Sequence, residues 1–324
     1  MMLGSILLVI ALAGGQTGGE AVALAHTYRA GDVQRFVMTN VVMGEEHAGD
    51  LVSWLPFRVT ITMDYSIKVL GLGPAGTADV RYENVGTVYH FSQQLDKEPY
   101  DDKREEEWAV MALSPTNQIL HVYDMSKPPK DGKGKDEEEK RASPGAFALQ
   151  GPEIDSGDLS TALIRLMQMY DLFKFGPLLP GPPVKPGDTW RSTADVVDLG
   201  SRFWSLGQGR GASRVDMTYS YEGVKAWEGK DTWVIRGTYK TDLDIRANML
   251  AQLPREYWGL VPIKAATLKV EGEVQYYLDP ATGDVRRIEG TSEGNVKVDA
   301  DDRFASLRHE MRAKSQVTLV PAKE

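Results

Sequence analysis

Residues 158–176 read DLSTALIRLMQMYDLFKFG, from Asp158 to Gly176, and the rest of the chain is organised around them. Asp158 can accept hydrogen bonds from the free N–H groups of a first helical turn. Gly176 tolerates the left-handed conformation of a helix end, and Pro177 cannot continue the ladder. At about 100° per residue, Leu159, Ala162, Leu163, Leu166, Met167, Met169, Tyr170 and Phe173 share one arc of roughly 160°. That is wide enough to be a buried face. Ser160, Thr161, Arg165, Gln168 and Asp171 lie opposite, with Ile164, Leu172 and Phe175 intruding among them. The stretch predicts a helix with one broad apolar face and a second apolar strip. A loop or sheet edge would cover that strip; a ligand or partner is the sharper reading.

Outward from this helix the pattern changes to alternation, the mark of half-buried strands. Between Arg58 and Leu70, Val59, Ile61, Met63, Tyr65, Ile67 and Val69 share one face. Ala78, Val80, Tyr82, Gly86 and Val88 alternate with Asp79, Arg81 and Glu83. Val215, Met217, Tyr219 and Tyr221 do the same, then Trp233, Ile235, Gly237, Tyr239, Leu243 and Ile245. Leu268, Val270, Gly272, Val274, Tyr276 and Leu278 follow, and Met311, Ala313, Val317 and Leu319 close the series. One polar and one apolar face per strand means antiparallel sheet with a solvated side. The predicted fold is mainly β: a large curved antiparallel sheet, half-barrel-like, of roughly ten strands, wrapped on one central α-helix.

Gly86, Gly237, Gly272, Gly290 and Gly294 fall on the apolar faces. A glycine weakens a strand, so a use is expected: sharp bending of the sheet, close approach of the helix, or both. Asp279-Pro280-Ala281-Thr282-Gly283 reads as a type I turn ending in a left-handed glycine, with Ser114-Pro115-Thr116-Asn117 as its counterpart. Arg29-Ala30-Gly31-Asp32 and Lys185-Pro186-Gly187-Asp188-Thr189-Trp190 open two similar series of strands. These suggest an internal duplication; reuse of common turns by an all-β chain is the alternative. The run KPPKDGKGKDEEEKR, Lys127 to Arg141, lacks the apolar residues to offset ordering entropy. It predicts a disordered charged insert at about 125–157.

Composition sets the outer bounds. The 324 residues are 42% hydrophobic, enough for a real core, and carry a formal net charge of −9. That charge argues against nucleic acid and against tight binding to anionic membranes. No cysteine is present, which removes disulfides, zinc–thiolate sites and thiol nucleophiles. The N-terminal MMLGSILLVIALAGG reads as a signal peptide, its apolar run from Leu3 to Ala13 too short to span comfortably. Ala23-Leu24-Ala25 is the expected cleavage signal, giving residues 1–25 as leader and 26–324 as a single β-rich domain; Ala13-Gly14-Gly15 is another. No stable transmembrane span is expected after cleavage, and the expected location is periplasmic or extracellular.

The short motifs do not carry chemistry. Gly71-Leu72-Gly73-Pro74-Ala75-Gly76 matches a dinucleotide fingerprint but leads into a strand, where the fingerprint needs a helix. Gly290-Thr291-Ser292-Glu293-Gly294 matches a nucleophile elbow but continues as a strand through Val296 and Val298. His26, His47, His90, His121 and His309 show no metal-binding spacing. Asp299, Asp301 and Asp302 lack the glycine and distal glutamate of an EF-hand. No catalytic residue, metal ligand or cofactor is expected.

The aromatics say more. Trp190, Trp204, Trp227, Trp233 and Trp258 all sit in the second half, the last within a proline-bounded apolar loop from Gln252 to Pro262. A loop of that length over a sheet often covers a pocket. With the helix face, Leu163, Met167, Tyr170, Phe173, Trp233 and Trp258 become the candidate lining of an apolar site between helix and sheet. Ordinary packing of a large core accounts for the same residues.

A signal peptide followed by a curved many-stranded sheet on one helix is an order of elements that resembles the LolA/LolB-like lipoprotein-carrier architecture. The likeness covers most of residues 27–320. The chain is also similar to secreted bacterial β-rich domains whose second half opens with a stretch like Pro183-Val184-Lys185-Pro186-Gly187-Asp188-Thr189-Trp190. The resemblance implies an exported protein that holds an acyl chain or another greasy molecule without catalysis. The expected function is therefore non-catalytic binding of a hydrophobic, lipid-like ligand between helix and sheet. The alternative is a structural or protein-interaction module of the cell envelope, with an envelope protein as partner.

Overall fold

In the computed structural model, alternation of this kind becomes twelve strands among the described residues. Residues 20–49, 53–93, 100–104, 108–124, 176–196, 213–246, 263–300 and 308–322 are described. The first six strands are β1 (Val33–Ala48), β2 (Leu55–Leu72), β3 (Ala78–Gln93), β4 (Tyr100–Arg104), β5 (Trp108–Leu113) and β6 (Ile119–Asp124). The second six are β7 (Thr189–Val196), β8 (Ser213–Trp227), β9 (Lys230–Asp244), β10 (Ile263–Leu278), β11 (Val285–Ala300) and β12 (His309–Pro321).

They form one antiparallel sheet in the order β6-β5-β3-β2-β1-β12-β11-β10-β9-β8-β7, with β4 pairing β3 off that path. The strand sequence begins in the middle of the sheet with β1 and winds out to β6. It re-enters at the opposite edge with β7 and winds back to the middle. There the last strand, β12, pairs β1 from Phe36↔Pro321 to Ala48↔His309.

The expected half-barrel on a central helix is not what forms. The sheet is open, ending at β6 and β7. The helical content of the described residues is the 3-10 turn Pro74–Gly76 and the single residue Arg246. The predicted helix at 158–175 and the charged insert at 125–157 lie outside the described residues. The strand glycines give the physical reason for the correction. At Gly272 an added Cβ would meet the Tyr239 ring at 2.5 Å, and at Gly290 it would meet Val317 at 2.8 Å. Side chains of neighbouring strands, not a helix, occupy the space that these glycines leave.

One face of the sheet, here called inner, carries the core. On β2, Val59, Ile61, Met63 and Tyr65 are at most 2% exposed. On β3 the faces change partway. The sequence puts Gly86 and Val88 with Val80 and Tyr82, whereas Thr87, Tyr89 and Phe91 are the buried residues there. Val85 is an extra residue, since pairing passes from Asp64↔Gly86 to Tyr65↔Asn84. Asn84 holds this bulge, accepting from the Gly86 N–H at 3.0 Å and donating to Thr87 Oγ1 at 2.8 Å. Beyond such a bulge the alternation inverts.

Residues 20–28 cross one end of the sheet as a strap. Val22 exchanges both backbone hydrogen bonds with Val184, at 2.8 and 2.9 Å. The His26 N–H donates to the Pro115 carbonyl, and the Thr27 N–H to the Thr282 carbonyl. Leu24, 2% exposed, belongs to the core. The strap thus joins the β5–β6 turn, the β10–β11 turn and the segment before β7. Val22 and Leu24, on the leader side of the expected cleavage after Ala25, are part of the folded body.

Candidate functional site

The register defines the inner face row by row. One row runs Trp190, Tyr219, Gly237, Val274, Gly290, Val317, Asn40, Ile61 and Tyr89, from β7 across to β3. It is apolar or aromatic apart from Asn40. Trp190 stacks on Tyr219 at 5.5 Å between ring centroids, and its indole N–H donates to the Leu178 carbonyl at 2.9 Å. The adjacent row passes through Met217, Tyr239, Gly272, Ser292, Ser315, Val42 and Val59. Here Ser292 and Ser315 share a hydroxyl–hydroxyl hydrogen bond of 2.7 Å.

Asn40 is the anomaly. It is 1% exposed, and neither its side-chain oxygen nor its nitrogen has a hydrogen-bond partner. Leaving a buried amide unpaired costs about 1–3 kcal/mol, so the position is not explained by stability. The sequence held a signal for it. Phe36, Met38, Asn40 and Val42 alternate in β1, and Asn40 is the polar one of these four, with Gln34 and Glu46 on the same phase nearer the strand ends. β1 was not singled out by the sequence pattern, so Asn40 went unnoticed.

The tyrosines of this face are held protonated. Burial pushes the Tyr219 and Tyr239 phenols up to about 12, against weaker hydrogen bonds that pull them down. Tyr276 is raised well above its ordinary value, again chiefly by burial. Such groups neither ionise nor act as bases near neutrality. The arrangement suits binding: a broad apolar surface with a few fixed polar points.

Of the expected lining residues, Trp233 is placed on the inner face of β9, opposite Leu278 and Val224, and 7% exposed. Leu163, Met167, Tyr170, Phe173 and Trp258 lie outside the described residues. Among the described residues, no group of three His, Cys, Asp or Glu is placed to hold a metal ion. Likewise among them, no helix is long and apolar enough to cross a membrane. His309, buried at one end of the sheet, lies 3.1 Å from a Glu46 carboxylate oxygen.

The outer face differs in kind. Lys240–Glu271, Lys269–Asp242 and Lys314–Glu293 are ion pairs at 2.8, 2.9 and 3.0 Å between directly opposed strand positions. They are exposed, and such pairs add little in water. An open depression of about 860 Å³ runs over this ladder from Asp216 on β8 to Val41 and Met43 on β1. Its carboxylates are already engaged: Glu273 by Arg236, and Asp216 by the Thr193 hydroxyl. The inner face, with its unpaired amide, is the stronger candidate.

No protein-family model matches the chain, and no curated protein matches it. Among solved structures, lipovitellin, described for its lipid–protein interactions, is similar with a TM-score of 0.39 and 10% identity. The likeness covers 91% of this chain but 25% of the lipovitellin chain, so this chain spans about a quarter of that one. DynF from the dynemicin pathway of Micromonospora chersina is similar at a TM-score of 0.24 and 5% identity, over 99% of this chain and 94% of that one. A putative outer membrane lipoprotein-sorting protein domain from Vibrio parahaemolyticus is similar at 0.13 and 6% identity, over 90% and 84%. At these scores the likenesses fix neither fold nor activity.

Proposed function

We propose that the chain is an exported, non-catalytic binding protein that holds a hydrophobic ligand, an acyl chain or a lipid-like molecule, against the inner face of its sheet. The observation that supports this reading is an apolar face continuous across a sheet that is not closed. Met38, Met63, Met111, Met217 and Met311 all lie in its buried core. Methionine is flexible and polarisable, so a surface rich in it re-packs around differing apolar shapes. Among the described residues no ladder joins β6 to β7, so the two edges can part without breaking strand pairing.

The test is direct. The full chain, purified without detergent, is extracted with organic solvent, and the extract is analysed by mass spectrometry. Acyl-bearing molecules in near-equal proportion to protein are expected. The extracted protein should then take up diphenylhexatriene, an uncharged fluorescent hydrocarbon, saturably. Empty protein that also shows no saturable uptake rules the reading out.

A second reading, a protein-interaction module of the envelope, is favoured by β6. Among the described residues it pairs only β5, and its Leu120 and Tyr123 are 54% and 56% exposed. A partner strand could add at that edge. Concentration-independent monomers that retain no envelope protein on affinity purification would count against it.

A further inference from the structure

We infer that Asn40 is the polar anchor of the inner face, and that the ligand it takes is an acyl chain ending in a primary amide. This rests on the reading of the inner face as a ligand site and adds the chemistry of the ligand. In register, Asn40 lies between Val317 of β12 and Ile61 of β2. Along β1 its same-face neighbours are Met38 and Val42. None offers a hydrogen bond that would satisfy a carboxamide. The nearest hydroxyls in the adjacent row, Ser292 and Ser315, are bonded to each other.

A carboxamide presents one acceptor oxygen and two N–H donors. A primary amide at the end of the ligand answers both, because its N–H and carbonyl lie on one edge: it gives an N–H to Oδ1 and accepts from Nδ2 at its carbonyl. An ester answers only the donor. A plain hydrocarbon answers neither. A free carboxylate would have to shed its hydration beside a neutral group, which is disfavoured at a position this buried. A site with fixed, buried polar atoms discriminates strongly against analogues that leave them unpaired.

The test uses three uncharged probes of matched length on the full, lipid-stripped chain: tetradecanamide, methyl tridecanoate and pentadecane. Each competes against bound diphenylhexatriene, an uncharged fluorescent hydrocarbon. Wild-type protein should prefer the amide over the hydrocarbon by about tenfold or more, with the ester between them. In Asn40→Leu the preference should vanish while hydrocarbon binding stays, and the unfolding midpoint should hold or rise because an unpaired group is gone. Asn40→Val, β-branched and suited to a strand, repeats the test should the leucine variant fold poorly. Hydrocarbon binding without amide preference in wild type overturns the anchor and leaves the apolar site standing. So does an amide preference that survives in either variant. If wild type binds none of the three probes, the apolar site itself fails, and the anchor with it.

Discussion

At Gly272 the β10 backbone passes beneath the Tyr239 ring, and an added Cβ would also sit 2.8 Å from the Thr291 carbonyl oxygen. Overpacking of this kind costs about 1–3 kcal/mol, so Gly272→Ala should lower the urea midpoint accordingly. Tyr239→Leu alone should also destabilise, but the double variant should be less unstable than the sum, because the ring that the methyl strikes is gone. The same ring reports on alkaline pH. The Tyr219 and Tyr239 phenols ionise near 12 in the folded chain against 10.0 ordinarily. The unfolded state therefore loses its protons first. Stability should fall as pH rises through 10, by about 1.4 kcal/mol per pH unit for each tyrosine, until pH 12. Ultraviolet titration of phenolate against an unfolding curve at each pH checks this. The alternation named these tyrosines as buried. It could not show that the space above Gly272 goes to a cross-strand ring, because that depends on which strands are neighbours.

The strap is the element whose attachment depends on acidity. His26 is buried, stacked on Tyr28 at 5.6 Å, and its Nε2 has no hydrogen-bond partner. A cavity of about 30 Å³ beside it is lined by Tyr28 and Asp32 of its own segment and by Asp284 of the β10–β11 turn. Gln34 and Asn117 are its other polar neighbours there. Burial lowers the imidazole from 6.5 to about 4. Above pH 6.5 neither the docked nor the free strap is protonated, so nothing is lost. Below it the free strap gains a proton that the docked one refuses, and the penalty grows until about pH 4. At pH 5 docking should be about 30-fold weaker than at neutrality. Hydrogen exchange at residues 22–28, corrected for intrinsic rates, should show the loss in wild type and not in His26→Phe. Gly283 helps to seat the same segment. Its φ is 77°, and a Cβ there would lie 2.5 Å from the Ala25 carbonyl oxygen. A chain beginning at His26 gives up the burial of Leu24, worth roughly 1.5–3 kcal/mol, and both bonds to Val184. Its melting temperature should drop relative to a chain beginning at Glu20. The strands themselves were legible from the sequence: the patterns end at Leu70, Leu278 and Leu319, within two residues of the ends of β2, β10 and β12, although β2 and β10 begin earlier than the patterns do. The strap was not, because a single leucine beside a leader-like run carries no period to read.

Across the whole molecule the decisive fact is where β12 lies in the sheet. The sheet is two meanders joined side by side at β1 and β12, and alternation within a strand holds no information about that join. β12 lies between β1, over pairs from Phe36↔Pro321 to Ala48↔His309, and β11, over pairs from Ile288↔Leu319 to Val298↔His309. The strand that completes the middle of the sheet is thus the last of the twelve in chain order. A chain stopped at Arg308 leaves β1 and β11 as long unpaired edges in the centre of the core, a template for aggregation. It also strips cover from Asn40, whose neighbour Val317 is lost. The join closes loops of extreme length, which makes folding slow. The full chain should therefore refold in one slow cooperative phase seen alike by tryptophan fluorescence and far-ultraviolet circular dichroism. The truncated chain should give no cooperative transition and should aggregate. Gln316→Pro separates pairing from length, since it keeps the chain whole and removes one ladder donor from a strand paired on both sides. It should unfold at markedly lower urea than Gln316→Ala. A proline variant as stable as the alanine one, or a protease-resistant core in the chain stopped at Arg308, would show that the two meanders stand without the strand between them.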